Sequence, residues 1–370
     1  MASTAENSGK TAQWLKAIAS PAVLFYTLPW LMVILTAGTI AQKDLGLFET
    51  QARFFSSWIL WLGPVPLPGM YPVLTVITVS LLAKFLLYSP WRLEKAGTIL
   101  THLGVLVLLI GGLLTAMTQK EGFILLGEGQ QGNAVSDYHD RVFSIDKDGV
   151  LLRAVPFDDL AQLKEIKDLP FELRIESTCR NCKPEPVESS ENRHGLAERV
   201  SLQNAPAEKE DEANLSGVNF SVAGVDADQS GHYLVMEEIP HTPQIDAGDA
   251  IYSFHIGRAQ TILPFTLTLK DFKRSMHPGT DMAKAFSSEV TIEDGGVNWD
   301  YRIEMNQPLR YKGYTFYQSS FSIRPDGEHS ILSVVRNEGR AFPYMASALI
   351  FLGLAVHLIL HVRTRQREHS

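Results

Sequence analysis

Residues 95–116 read KAGTILTHLGVLVLLIGGLLTA, and this stretch decides the fold. A run of about 20 mainly apolar residues can cross a hydrocarbon core about 30 Å thick, so we expect a membrane-spanning helix over 97–118. His102 lies inside this run. An ionisable side chain is costly in hydrocarbon and usually faces a partner, a cavity or a ligand. His102 is therefore the first candidate functional residue.

Three further apolar runs predict three more membrane-spanning helices, over about 17–41, 71–88 and 342–362. Their internal glycine, proline and polar residues indicate a bundle, because neighbouring helices cover the polar groups that such residues expose. Clusters of Lys and Arg mark the cytoplasmic side of short loops. The relevant residues are Lys10, Lys16, Arg92, Lys95, Arg363, Arg365 and Arg367. Both termini are therefore predicted to be cytoplasmic, and residues 119–341 extracytoplasmic.

The segment 119–341 contains short alternating runs such as NFSVAGV at 219–225 and FTLTLKDF at 265–272. Such runs, separated by turn residues, predict a large extracytoplasmic domain of antiparallel β-strands, either a sandwich or barrel-like. The segment has 36 acidic and 23 basic residues, which argues against nucleic acid as a partner. Residues 183–217 are charged and poor in aromatics, so we expect a mobile insertion there.

The two cysteines of the chain form the sequence Cys179-Arg-Asn-Cys182. Such a pair can be a local disulfide, a redox couple or, with a following histidine, a c-type haem attachment sequence. Lys183 follows here, and no second pair exists to complete a four-thiolate zinc site. The sequence also lacks a phosphate-binding glycine loop, a nucleophile elbow and an H-E-x-x-H motif. A disulfide and a redox couple both stay open.

A second histidine, His357, lies about five residues from the cytoplasmic end of the fourth apolar run, as His102 does in the third. Both imidazoles are therefore predicted at a similar depth, roughly 7 Å from the helix end. Three interpretations compete for them: hydrogen bonding between helices, haem ligation by neutral imidazole, and proton relay.

Six blocks of sequence occur in order between residues 94 and 344: EKAGTILTHLGVLVLLIGGLLTA, EGFILLGEGQ, PFTLTLKDF, SSEVTIEDGG, NQPLRYKGYTFYQSSF and VVRNEGRAFPY. With their positions relative to the four helices, these blocks resemble the ResB (CcsB) proteins of System II cytochrome c biogenesis. With the flanking helices included, the resemblance extends from about Pro21 to His361 and so covers nearly the whole chain.

The resemblance implies a four-helix protein of the bacterial inner membrane with a large periplasmic domain between the third and fourth helices. It implies a CcsA (ResC)-like membrane partner, with which the chain would move haem b across the membrane and present it to apocytochrome c. In this family the histidine of T-H-L-G is taken as a haem ligand, which assigns that role to His102. His357 is then a second or alternative ligand. Arg92 and Lys95 are candidates for contact with the haem propionates. Alternatively, their charges only determine which side of the membrane this loop occupies.

Other expectations follow from the same resemblance. Tyr314, Tyr317 and Gln318 could line a surface that docks the partner or apocytochrome c, or they could pack within the sheet. The chain has no tryptophan-rich haem motif, so we expect it to complete a haem lyase only with a separate CcsA-like polypeptide. The Cys179/Cys182 pair departs from the family pattern. Thiol exchange with a thioredoxin-like reductant therefore stays a hypothesis.

The leading hypothesis is thus a subunit of a haem-delivery and cytochrome c synthase complex. One alternative is a membrane-anchored scaffold that positions CcsA and apocytochrome c without binding haem. Another is a b-type electron carrier that uses His102 and His357.

Overall fold

The structure, a computed structural model, describes residues 13–188, 192–239, 242–280 and 283–368. These residues divide into two compact units. The helical unit contains the described residues up to Gln119 and those from Arg336 onward, and the β-domain is Lys120–Val335. Lys10 lies outside the described residues.

Four helices in the helical unit are long and apolar enough to cross a membrane, as predicted. They are α1 (Pro21–Leu45), α2 (Met70–Tyr88), α3 (Ala96–Thr118) and α4 (Phe342–Glu368). Helix α1 lies four residues later than the predicted 17–41. Its bounds are set by a Ser20 cap with Pro21 in the first turn, and by Gly46, which has a φ of 78°.

The segment between α1 and α2 is structured. It contains a short α-helix (Leu47–Thr50) and a π-helix (Gln51–Phe55), followed by a hairpin of β1 (Ile59–Leu62) and β2 (Val65–Pro68). A 3-10 turn (Leu93–Lys95) precedes α3. The hairpin was not predicted from the sequence.

Glycines in α3 allow close contact with α4. Three of them recur every seven residues on the face toward α4: Gly97, Gly104 and Gly111. A Cβ atom at Gly97 would lie 2.4 Å from the backbone nitrogen of His357, and one at Gly111 would lie 2.2 Å from the Cβ of Phe342. Small residues let membrane helices approach closely, and a seven-residue repeat keeps one face on its partner.

The described residues of the β-domain form sixteen strands. Those of its first half are β3 (Lys120–Gly127), β4 (Gln131–Lys147), β5 (Val150–Pro156), β6 (Glu165–Ile166), β7 (Glu172–Cys179), β8 (Cys182–Pro186), β9 (Val200–Asn204) and β10 (Gly217–Ala223). Those of its second half are β11 (Gly231–Met236), β12 (Gln244–Ala247), β13 (Ala250–Met276), β14 (Ala283–Asp294), β15 (Val297–Glu304), β16 (Leu309–Tyr311), β17 (Tyr314–Arg324) and β18 (Gly327–Arg336).

One large sheet has the order β15-β14-β13-β4-β3-β18-β17-β16, with β12 and β5 pairing to β13 and β4. This sheet curves until its two end strands, β15 and β16, come into contact. Trp299 of β15 packs edge-on against Tyr311 of β16, with ring centroids 4.9 Å apart. Its enclosed core includes Phe265, Leu267 and Phe316. This half of the domain is therefore barrel-like.

The other half of the domain is a sandwich. A four-stranded sheet, β11-β10-β7-β6, packs on the remaining parts of β4 and β13. Phe220 of β10 packs against both Phe143 of β4 and Phe254 of β13, with ring centroids 5.6 and 5.0 Å away. Both predicted architectures thus occur, and the long strands β4 and β13 run through the two halves.

The segment 183–217, predicted as a mobile insertion, contains the β8–β9 hairpin and two 3-10 turns. Its Ala197 and Leu202 are buried against Cys179 and Cys182. The charged composition of the segment did not predict this small apolar cluster. Its mobility stays a prediction.

Candidate functional site

His102 has a defined hydrogen bond in α3. Its Nδ1 lies 2.7 Å from the carbonyl oxygen of Thr98, one turn earlier, and the ring is half-buried. A carbonyl oxygen only accepts, so Nδ1 carries the proton in the neutral ring and Nε2 keeps its lone pair. Among the described residues, none hydrogen-bonds Nε2. This is the arrangement in which a backbone carbonyl orients an imidazole for metal ligation.

His357 is not placed to share a ligand with His102. The backbone of His357 lies against Gly97, whereas Thr101, the neighbour of His102, lies against Gly353. His102 is five residues beyond Gly97, hence roughly 7 Å further along α3 and about 140° around it. The prediction that both rings lie at one depth is therefore wrong, because helix packing offsets α4 by more than one turn. The side chain of His357 is exposed.

His357 instead pairs with His361 on α4. Their rings are nearly parallel, with an interplanar angle of 16° and centroids 6.3 Å apart. Residues four apart share one face of a helix, so this contact follows from sequence spacing. Both side chains are exposed on the helical unit.

Arg92 and Lys95 lie just before α3, where the sequence placed them. Both are exposed, and neither forms an ion pair with a carboxylate in the described ranges. Lys95 ends the 3-10 turn directly before α3 and precedes His102 by seven residues. Contact of Arg92 and Lys95 with the haem propionates stays a prediction.

Cys179 and Cys182 form a disulfide bond, so the structure contains the local bridge and not a dithiol. The bond joins the end of β7 to the start of β8, and both residues are buried. It packs with Leu202 and Leu234. A buried bridge of this kind restrains the β8–β9 hairpin.

A buried ionic network, which was not predicted from the sequence, lies next to this bridge. Arg141, whose side chain is fully buried, donates to Asp211 at 3.0 Å and to Glu237 at 3.3 Å. Arg180, between the two cysteines, donates to Asp211 at 2.7 Å, and His139 Nδ1 lies 2.9 Å from the same carboxylate. One signal was available: Arg141 alternates with Phe143 and Ile145 in β4, which predicts an inward side chain.

Asp211 is the centre of this network. Burial raises the pKa of its carboxyl, but hydrogen bonds from His139 and Arg180 and the charges of Arg180 and Arg141 outweigh burial. The pKa of Asp211 is therefore held well below its usual range. The Arg141 guanidinium also donates to the carbonyl oxygens of His139, Asp211 and Asn214, which completes its hydrogen bonding. The network holds the 205–215 segment on β4.

Part of the β-domain is similar to a known family of proteins. Residues 229–336 match the family model described as the ResB-like family. The predicted resemblance to ResB is confirmed over these residues. A segment of 105 residues is 34% identical to Protein NrfI of Wolinella succinogenes. That segment is 28% of this chain and 11% of NrfI, so the chain spans a small part of the relative that it matches.

The ResB-like segment, residues 229–336, extends from the turn before β11 to the end of β18. It contains the three predicted docking residues Tyr314, Tyr317 and Gln318. His102, His357 and the cysteine pair lie outside it.

Two of the three predicted docking residues are internal. Tyr314 is 7% exposed and packs edge-on against Phe265. Gln318 is 6% exposed and hydrogen-bonds Ser288 and Ser330. The expectation that Tyr314 and Gln318 line a surface is corrected, because β17 turns both into the domain. Tyr317 points the other way and is 37% exposed.

Proposed function

We propose that this chain is a membrane subunit in cytochrome c biogenesis that holds haem in transit through His102. The ResB-like segment and the similarity to NrfI support a role in cytochrome c biogenesis. Four helices able to cross a membrane support a membrane location. By the distribution of Lys and Arg, the termini are cytoplasmic and the β-domain is on the outer side of the bacterial inner membrane.

The hydrogen bond from His102 Nδ1 to the Thr98 carbonyl oxygen carries this proposal. It leaves Nε2 with a lone pair at a half-buried position of α3, about 140° around the helix from the face toward α4. Nε2 of His102 would hold the haem iron as a nitrogen ligand. Lys95, directly before α3, would contact a propionate.

The second axial ligand comes from a separate CcsA-like membrane protein. Among the described residues, His357 lies opposite Gly97, five residues before His102 on α3, so it is not placed to bind the ring held by His102. A ligand from the partner would make haem loading depend on assembly of the complex. Haem is then cargo, passed outward to apocytochrome c, and the bond-forming step needs both proteins.

The β-domain has a supporting role in this proposal. Tyr317 on the exposed side of β17 is the docking residue for the partner or apocytochrome c. The buried Cys179–Cys182 disulfide supports a structural role for the pair, in preference to exchange with a thioredoxin-like reductant.

The decisive experiment is a visible spectrum and haem assay on the complex purified with its CcsA-like partner. His102→Gly should lose bound haem, and added imidazole should restore it by filling the vacated ligand position. His361→Gly, a matched change near the end of α4, should keep wild-type haem. Haem content unaffected by His102→Gly would overturn the proposal and favour the scaffold alternative.

A parallel assay of holocytochrome c formation separates haem delivery from electron transfer. Under the proposal, His102→Gly lowers holocytochrome yield together with haem content, and imidazole restores both. A variant that loses its haem spectrum while apocytochrome is still converted at the wild-type rate would support the b-type electron carrier.

A further inference from the structure

The β1–β2 hairpin exposes apolar side chains on both of its faces. The exposed side chains are Trp58 (62%), Ile59 (51%), Trp61 (63%), Leu62 (69%) and Val65 (50%). The sequence contains no charged residue or histidine from Phe54 to Ala83. A contiguous apolar patch of this kind is unfavourable in water and marks a contact with a membrane or another protein.

The second strand of the hairpin has an edge without hydrogen-bond donors. Leu62 pairs with Val65 across the turn, and Leu60 pairs with Leu67. In a two-residue hairpin these pairs exchange the backbone hydrogen bonds, so Pro66 and Pro68 point their backbone groups outward. Proline has no N–H, and hence this edge lacks donors at both positions.

Of the two outward carbonyl groups of β2, on Pro66 and Pro68, the one on Pro68 is already bonded. The carbonyl oxygen of Pro68 accepts a hydrogen bond of 3.0 Å from the indole Nε1 of Trp30 in α1. Gly69 N donates to the carbonyl oxygen of Trp58 at 3.1 Å, and Tyr71 N donates to that of Ser57 at 3.2 Å. The hairpin is thereby tied to α1 and to the start of α2, and is part of the helical unit.

The outer edge of β1 differs, because Ile59 and Trp61 keep outward N–H and C=O groups. Within the described ranges no residue hydrogen-bonds these groups. An open strand edge does not occur in the lipid-exposed hydrocarbon core, where each unpaired group costs several kcal/mol. The hairpin therefore suits neither bulk water nor the middle of a bilayer.

Helix α2 fixes the level of the hairpin. Its 19 residues give a length of about 28 Å, so it needs nearly all of that length to cross a core of about 30 Å. Met70 then lies at one boundary of the core, and the hairpin that ends at Pro68 lies at the same level. This is the zone that tryptophan prefers and in which headgroups and water satisfy polar backbone.

We propose that the β1–β2 hairpin is a lipid-binding element that inserts into the headgroup–acyl boundary of the leaflet next to the start of α2. Leu62 and Trp61 enter the acyl region, and the β1 edge is hydrated from the headgroup side. This inference does not depend on the proposed function.

A fluorescence experiment on the full chain in phosphatidylcholine nanodiscs tests this proposal. Leu62→Cys is labelled with an environment-sensitive nitrobenzoxadiazole group, since both native cysteines are held in the disulfide. Leu151→Cys is the matched control, an exposed leucine of a hairpin in the β-domain. Lipids with a doxyl group near the headgroup should quench the label at 62 several-fold more than at 151, and aqueous iodide should do the reverse.

Two results would overturn the proposal. Equal iodide quenching at 62 and 151 would place the hairpin in water. A label at 62 shielded from both quenchers would show that protein, through self-association, covers the hairpin instead of lipid.

Discussion

The imidazole Nδ1 of His102 is hydrogen-bonded to the carbonyl oxygen of Thr98, one turn earlier on α3. This contact fixes the ring tautomer through backbone, because the acceptor belongs to the helix itself. The Thr98 side chain takes no part in this hydrogen bond, so the orientation of Nε2 toward a metal does not depend on that side chain.

Thr98→Val should therefore keep wild-type haem content in the purified complex, since it preserves the carbonyl acceptor. His102→Gln, which also bears polar atoms but lacks an imidazole, should lose haem. The haem spectrum of the two variants checks this. Haem loss in Thr98→Val with normal folding would show that the orienting contact has been misassigned.

Lys95 lies directly before α3, seven residues from His102. Lys95→Gln should weaken haem retention, measured as a higher rate of transfer from the complex to apomyoglobin, while Lys95→Arg should keep it. Arg92→Gln is the comparison, because Arg92 lies three residues further from His102, before the 3-10 turn. An equal effect of both Gln variants would indicate general surface charge and not a propionate contact.

The close approach of α3 and α4 predicts a sharp difference between two glycines. A Cβ atom at Gly104 would lie 2.6 Å from the side chain of Ile350, whereas one at Gly112 has no neighbour within 4 Å. Gly104→Leu should destabilise the helical unit by about 1–3 kcal/mol through overpacking. Gly112→Leu should change stability by less than about 0.5 kcal/mol. Thermal unfolding in detergent, followed by circular dichroism, compares the two; similar losses would contradict the α3–α4 packing.

The sequence predicted elements whose cause is local or periodic. The four apolar runs predicted the helical unit, and the alternating runs predicted the β-domain. The length of an apolar run and the alternation of apolar and polar residues are properties of each segment by itself. Which helices pack together, and at what offset along their axes, is not determined by the sequence of one segment. The offset between α3 and α4 depends on which glycines meet, so the depth of His357 relative to His102 could not be read from distances to the helix ends.

The same limit applies within strands. Tyr314, Tyr317 and Gln318 lie in one block of sequence, and the rolled sheet decides which face of β17 is inside. The Asp211 network joins residues 70 positions apart, and no motif marks it. The charged composition around Asp211 predicted a mobile segment. The arginines that bind Asp211 lie elsewhere in the chain, so the segment's own sequence does not reveal them.

Tyr314 and Tyr317 should behave differently on truncation. Tyr314→Ala removes a buried ring from the barrel-like core and should cost about 3 kcal/mol or more in unfolding free energy. Tyr317→Ala should leave stability nearly unchanged and reduce cross-linking to the CcsA-like partner or to apocytochrome c. Denaturant unfolding and site-directed cross-linking provide the two measurements. Unchanged cross-linking with Tyr317→Ala would exclude this residue as the docking contact.

The buried Cys179–Cys182 disulfide should matter for stability and not for thiol exchange. The double variant Cys179→Ser/Cys182→Ser should destabilise the surrounding region by about 2 kcal/mol, the entropy of a short closed loop. Faster amide exchange in β8 and β9 would report this, with β14 as an internal control. A redox role would give the opposite pattern, with unchanged exchange and lost holocytochrome formation.

The Asp211 network makes the β-domain sensitive to acid. The pKa of Asp211 is lowered on folding, so its contribution is fully present above the unfolded value, about 3.9, and is lost as pH falls through the folded value. At pH 7, Asp211→Asn should cost about 3–5 kcal/mol, because Arg141 is left buried with one fewer counter-charge. Asp300→Asn, which breaks an exposed pair with Lys270, is the control and should have little effect. Urea unfolding of the full chain from pH 7 down to about pH 2 should show the stability gap between wild type and Asp211→Asn begin to narrow below about pH 4. Parallel pH profiles for the two proteins would mean that Asp211 is not the acid-sensitive group.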